Sequence, residues 1–155
     1  MREIKLVRVT TVPISLHLLL RGQFRYMHEH GLDVYTVSAD GMEIPEVLKE
    51  GVPHFIVPLT RQITPVQDLI SLIKMIRLFR KIRPDIVHTH TPKAGLIGML
   101  AAWWCRVPVR LHTVAGLPLM EATGVKRWVL EQVEKITYNA ANKVYVNSQG
   151  LLDFI

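Results

Sequence analysis

Apolar residues along this chain follow two rhythms. Short runs rich in β-branched residues alternate with longer stretches in which apolar positions recur every third or fourth residue. The first pattern predicts buried strands and the second amphipathic helices. Residues 5–12, 34–38, 54–59, 85–89, 109–114 and 143–147 are of the first kind, which predicts about six strands. Between them, Leu16, Leu20, Phe24 and Met27 predict one helix that Gly31 closes, with His17, Arg21, Arg25 and His28 on its other side. A brief helix at 46–49 ends at Gly51, and Leu69, Leu72, Ile73, Ile76 and Phe79 give the next helix its apolar face. Val125, Val129, Val133, Ile136 and Ala140 do the same for the last one. Residues 92–105 are apolar almost throughout, which predicts a buried helix. Its stripe of Gly95, Gly98 and Ala102 lets it lie close to a sheet.

Punctuation residues sharpen these boundaries. Pro13 turns the chain after the first strand, and Ser15 is the N-cap candidate for the helix that follows. Thr64-Pro65-Val66-Gln67 combines an N-cap threonine, a proline at the first helical position and a glutamine three residues on, a capping box. Pro84 stops that helix after Arg77, Arg80, Lys81 and Arg83, whose charges favour the helix dipole. Strict alternation of strand and helix predicts an α/β fold, a Rossmann-like doubly wound parallel sheet with helices on both faces. In the common order 3-2-1-4-5-6 the direction of strand addition reverses between strands one and four, where ligands bind. That brings residues 11–15 beside 88–93, with 113–118 as the next neighbour.

Composition narrows the class. With 155 residues, 49% of them hydrophobic, the chain suits one globular domain. Its net charge of +6 points to an anionic partner, whether nucleic acid, a phosphorylated small molecule or an acidic membrane surface. No basic motif interleaved with aromatics is present, so nucleic acid is not expected. Cys105, the single cysteine, excludes an internal disulfide and suits the reducing cytoplasm. The longest apolar run, 94–105, falls short of the roughly 20 residues that span a bilayer. The last residues, SQGLLDFI, read as the opening turns of a helix that stops at once, which predicts a fragment of a longer protein.

Candidate chemistry gathers at PDIVHTHTPKAG, residues 84–95. His88 and His90 fall on one face of the fourth strand and Thr89 on the other. His90, nearer the carboxyl end, is the more accessible and the candidate for a ligand; the alternative is a structural histidine bonded to a loop carbonyl. For His88 the structural reading comes first, and for His112 the two stand level. Helices opening after Ser15 and Thr91 would offer free amides to an anion such as a phosphate. Neither GxGxxG nor GxxxxGK occurs. Lys93 either grips an anion or is a solvated lysine, and Glu121 reads as a surface residue. Trp103 and Trp104 read as core. Three histidines without a cysteine or carboxylate at ligand spacing, and no HExxH, argue against a metal. The cluster at 77–83 either compensates the dipole or attracts anionic headgroups.

TTVPISLHLLLRGQ after the first strand, PDIVHTHTPKAGLIGMLAA at the fourth and LHTVAGLPLMEATG after the fifth resemble bacterial family 4 glycosyltransferases, the retaining group of GT-B fold. The resemblance runs along the whole chain but only to the amino-terminal half of such an enzyme. It implies that residues 1–155 form the acceptor-side Rossmann-like domain and that the carboxyl-terminal nucleotide-sugar domain lies outside this chain. It further implies a cytoplasmic hexosyltransferase of cell-envelope polysaccharide biosynthesis, inactive as this fragment alone. The donor is a nucleotide sugar and the acceptor a saccharide or lipid-linked saccharide, at times reached from the inner membrane face; no cofactor is implied. His90 maps onto the histidine that reaches the transferred sugar and is the one residue carried over; Ser15, His88, Thr91, Lys93, His112 and Gly116, in the segments that the strand order brings together, are further substrate-binding candidates. The loop after strand one, often glycine-rich in that family, is Val12-Pro13-Ile14-Ser15 here, and Ala115 stands where many members have histidine. Two other readings compete: an acceptor-binding subunit of a split glycosyltransferase that recruits to membranes, and a sugar-nucleotide epimerase of the same architecture.

Overall fold

The computed structural model describes residues 2–114, 121–146, 149 and 153. Six strands form one parallel sheet in the order β3-β2-β1-β4-β5-β6. They are β1 (Ile4–Val9), β2 (Leu32–Ser38), β3 (His54–Ile56), β4 (Ile86–His90), β5 (Val109–Val114) and β6 (Lys143–Val146). Helices α1 (Pro13–Leu19) and α2 (Gln23–Glu29) follow β1, and α3 (Ile44–Leu48) follows β2. Then come α4 (Pro65–Ile82), α5 (Pro92–Trp104) and α6 (Gly124–Ala140), after β3, β4 and β5. The predicted fold class and strand order both hold.

Register assigns each side chain to a face. Arg8, His88 and Leu111 stand side by side across β1, β4 and β5, and Val9, Thr89 and His112 form the next row on the opposite face. The first face carries a small core of Leu6, Leu16, Leu20, Phe24, Val34, Val47 and Val52 under α1 to α3. The second carries the larger core, with Val7, Val9, Val37, Met75, Phe79, Val87 and Ile97 under α4 and α5.

The small-residue stripe of α5 works as predicted. A Cβ on Gly98 would sit 2.5 Å from Thr89 Cγ2, and one on Gly95 would collide with the His112 ring. Only hydrogen at these positions lets α5 reach the sheet.

Several local expectations fail. The single helix predicted at 16–27 is two, because Gly22 takes a left-handed φ of 82° and restarts the chain as α2. Pro13 opens α1 rather than turning the chain, so the N-cap is Val12, and Ser15 lies inside the helix instead of capping it. The capping box does not close: Thr64 Oγ1 donates to Asp68 Oδ1 at 2.9 Å and Gln67 Nε2 donates to the Pro58 carbonyl at 3.1 Å. The α4 start at Pro65 still holds.

Helix α4 is also rotated relative to its predicted face. It buries Ser71, Met75, Phe79 and Ile82, while Leu69 and Ile73 face outward. Ser71 is drawn inward because its hydroxyl donates to the Pro58 carbonyl at 2.8 Å. On α6 the buried residues are Glu134, Thr137 and Ala140, whereas Val125 and Ile136 are exposed. Trp103 and Trp104, read as core, are 57% and 60% exposed at the end of α5.

Candidate functional site

Where strand order reverses, between β1 and β4, the carboxyl ends of the strands open into a cleft of about 850 Å³. Thr11, Val12 and Ser15 line it from the β1 side, Thr91, Pro92 and Lys93 from the β4 side, and Arg61 to Ile63 from the connection before α4. Helix α6 closes it with Val129, Leu130 and Val133, and Glu121 and Lys126 stand at its edge. The loops at 11–15 and 91–93 therefore meet here, as the strand order predicts. Gly116 lies outside the described residues.

Thr91 holds the two central loops to each other. Its backbone takes φ 78° and ψ 151°, a conformation that β-branched residues rarely adopt. The Thr11 amide donates to Thr91 Oγ1 at 3.2 Å, and the two hydroxyls lie 2.8 Å apart. The N-terminus of α5 is less open than expected. Pro92 has no N–H, and the Ala94 amide donates to Thr11 Oγ1 at 3.3 Å. Residue Thr91 makes no side-chain cap itself, so Thr11 supplies it from the neighbouring strand end. At the other expected anion site, α1 starts before Ser15, and Ser15 is a buried cleft residue.

Lys93 is neither solvated nor free. Its Nζ reaches both carboxylate oxygens of Asp68 at 2.7 and 2.8 Å and donates to the Gln62 carbonyl, and it is mostly buried. This pair ties α5 to α4 across the cleft floor and neutralises the charge expected to grip an anion.

The histidines do not line the cleft, though His90 immediately precedes Thr91. Contrary to expectation, His90 is the buried one, 5% exposed, while His88 is half-buried. Their rings lie 4.2 Å apart on the first face. His88 Nε2 sits 2.7 Å from Thr113 Oγ1. His90 Nε2 receives Arg8 Nε at 3.2 Å and Arg8 Nη2 at 3.0 Å. Burial, helped by His88 and Arg8, draws the His90 pKa down to about 2, and burial with Arg8 draws His88 to about 3. Both rings are neutral at physiological pH.

His112 is on the other face, 2% exposed, with Nδ1 2.8 Å from Thr89 Oγ1 and a pKa drawn down to about 4 by burial. The structure thus separates it from His88 and His90. Among the described residues no three of His, Cys, Asp and Glu converge as a metal would require. Burial also raises the Glu134 carboxyl above its usual range on α6. Arg8 is the residue the sequence reading missed. It is one of two basic residues, with Lys5, in an otherwise apolar strand, and only the β1–β4 register brings it to the HxH pair.

Comparison with known proteins places this geometry. Residues 19–155 match the glycosyl transferase 4-like domain. The capsular polysaccharide biosynthesis glycosyltransferase CapM of Staphylococcus aureus is 40% identical over 151 residues, covering 97% of this chain and 39% of that protein. The chain belongs to the glycosyl transferase 4-like family. A UDP-Gal:alpha-D-GlcNAc-diphosphoundecaprenol alpha-1,3-galactosyltransferase of Escherichia coli is 32% identical over 117 residues, covering 74% of this chain and 30% of that enzyme. The chain thus spans about two-fifths or less of the length of these relatives. The fold recurs in a glycosyltransferase from Rickettsia africae, with TM-score 0.72 and 18% identity over 99% of this chain and 39% of that one. It recurs equally in a UDP-N-acetylglucosamine 2-epimerase, with TM-score 0.71 and 19% identity over 98% of this chain and 44% of that one. No helix among the described residues is long and apolar enough to cross a membrane.

Proposed function

We propose that this family 4-like domain is the amino-terminal, acceptor-side half of a glycosyltransferase that moves a sugar, with retention, from a nucleotide sugar to a saccharide or lipid-linked saccharide. The observation that carries the reading is the cleft at the β1–β4 reversal, in a chain 40% identical to a capsular polysaccharide glycosyltransferase. The nucleotide-sugar half lies outside these residues, so the chain alone is inactive, and no resident cofactor is assigned. In this reading Ser15, Thr91 and the Lys93–Asp68 pair shape the acceptor cleft. His90 is the last residue of β4 and in this reading donates a hydrogen bond to the transferred sugar. Its role is orientation, because a ring held neutral to about pH 2 takes no proton from an acceptor hydroxyl. Leaving-group charge falls to the missing half.

Acceptors carried on lipid would be met at a membrane, and α4 has a surface suited to one. Val66, Leu69, Ile70 and Ile73 form an outward apolar stripe, and Lys74, Arg77 and Lys81 follow along the helix, all exposed. Apolar insertion beside a basic patch is how peripheral helices bind anionic lipid. Neutralising Lys74, Arg77 and Lys81 together should weaken binding to phosphatidylglycerol vesicles by roughly 1 kcal/mol per charge. Equal binding returns these charges to dipole compensation and solubility.

The reading is tested by incubating the full-length protein with nucleotide sugars and a lipid-linked saccharide and determining the product by NMR. A glycoside with the anomeric configuration of the donor supports it. The shared fold also suits an epimerase, and a C2-epimerised sugar nucleotide without transfer would establish that reading instead.

A further inference from the structure

We infer that Arg8 is a positioning residue that fixes His90 as a neutral imidazole protonated on Nδ1, leaving the ring a single hydrogen-bond donor for its ligand. The inference rests on the proposed role of His90 toward the transferred sugar. Arg8 is 2% exposed near the carboxyl end of β1, and among the described residues no carboxylate pairs with it. Its Nε and Nη2 approach His90 Nε2 at 3.2 and 3.0 Å, Nη2 also donates to Gln23 Oε1 at 3.1 Å, and Nη1 points to Met27 Sδ at 3.4 Å. The Phe24 ring covers the guanidinium at 5.8 Å.

A guanidinium has five N–H donors, no acceptor, and does not give up its proton in proteins. Whatever it touches must accept. His90 Nε2 therefore offers a lone pair to two converging N–H groups and carries no proton. The neutral ring then holds its proton on Nδ1. An imidazolium would aim an N–H at the guanidinium, which these contacts forbid. Nδ1 has no hydrogen-bond partner among the described residues, so its N–H remains available.

Stability does not account for an arginine at this position. A buried cation facing only neutral acceptors loses hydration without ionic compensation, and an apolar side chain would fill the space at lower cost. That loss of hydration draws the guanidinium itself down to about 10. Restarting the helix at Gly22 places Gln23 at the first position of α2, where its amide oxygen meets Nη2 and holds the guanidinium toward His90.

The test uses full-length protein labelled with 15N-histidine, the His90 signals being assigned by their loss in His90→Ala. At neutral pH the wild-type spectrum should show Nδ1–H and an unprotonated Nε2; an Nε2–H resonance overturns the inference without any Arg8 variant. Arg8→Met removes both donors and should populate the other tautomer while lowering kcat by about tenfold with little change in the acceptor KM. Arg8→Lys, whose single ammonium group also only donates, should recover the Nδ1–H form and part of kcat. If Arg8→Met keeps the wild-type tautomer and turnover, Arg8 is only structural. Should Arg8→Met fail to fold, the wild-type spectrum and Arg8→Lys decide. Nδ1–H together with full activity in His90→Ala removes the sugar role but not the tautomer assignment. An Nε2–H ring together with an inactive His90→Ala removes only the role of Arg8.

Discussion

The two faces of the sheet each bury a histidine near the ligand-binding edge, His90 on β4 and His112 on β5, and they bury it for different ends. On one face His112 meets a threonine hydroxyl, and its ring lies where any side chain on Gly95 would have to go. A hydroxyl both donates and accepts, so this hydroxyl does not by itself fix the tautomer of His112. On the other face His90 meets a guanidinium, which can only donate. Similar burial therefore yields a wedge between sheet and helix on one side and a chemically defined donor on the other. Partner chemistry, rather than exposure, separates a core histidine from a candidate site histidine.

Crowding the His112 face should have the largest effect. Gly95→Val drives a branched side chain into the His112 ring and toward Thr137, and is expected to cost about 3 kcal/mol or abolish folding, measured by urea denaturation. A variant of wild-type stability would mean that α5 does not approach the sheet closely there.

Acid should weaken both faces together. His88, His90 and His112 have folded-state pKa values of about 3, 2 and 4, all below the unfolded value near 6.5. Below about pH 6.5 the unfolded chain takes up protons that the folded chain refuses. Stability is thus full above that pH and falls toward pH 4 by about 1.4 kcal/mol per unit for each histidine. Urea midpoints from pH 7 to about pH 4.5 measure this slope, and a flat profile contradicts the buried neutral rings.

A smaller change isolates the packing side. Thr89→Val keeps the shape but removes the hydroxyl facing His112, and should cost about 1 kcal/mol while leaving turnover per folded molecule unchanged. On α4, Thr64→Ala should cost only a few tenths of a kcal/mol, less than the usual N-cap loss of about 1, because its hydroxyl bonds Asp68 rather than the helix backbone. A full N-cap penalty in urea denaturation would restore the capping box.

What could be read from the sequence, and what could not, follows from how local each signal is. Strand runs, the Pro and Gly punctuation and their alternation are local, and they were enough for the six strands, their order and the meeting of the Thr11 and Thr91 loops. The facing of α4 was not legible, because Val66, Leu69, Ile70 and Ile73 make the outward side as apolar as the inward one. His90 stood out as a candidate, but its accessibility was misjudged because Arg8, which packs on it from the adjacent strand, is far away in sequence. Arg8 carried no signal at all. Its meaning depends on a strand register joining residues about eighty positions apart.

The most direct measurement is single-turnover sugar transfer by full-length His90→Ala, with folding checked by its urea midpoint. The account predicts a fall of at least about 100-fold with stability near wild type, since a ligand-facing donor is lost from a formed site. Wild-type turnover in a folded His90→Ala protein would contradict it, and the two faces of the sheet would then differ in packing alone.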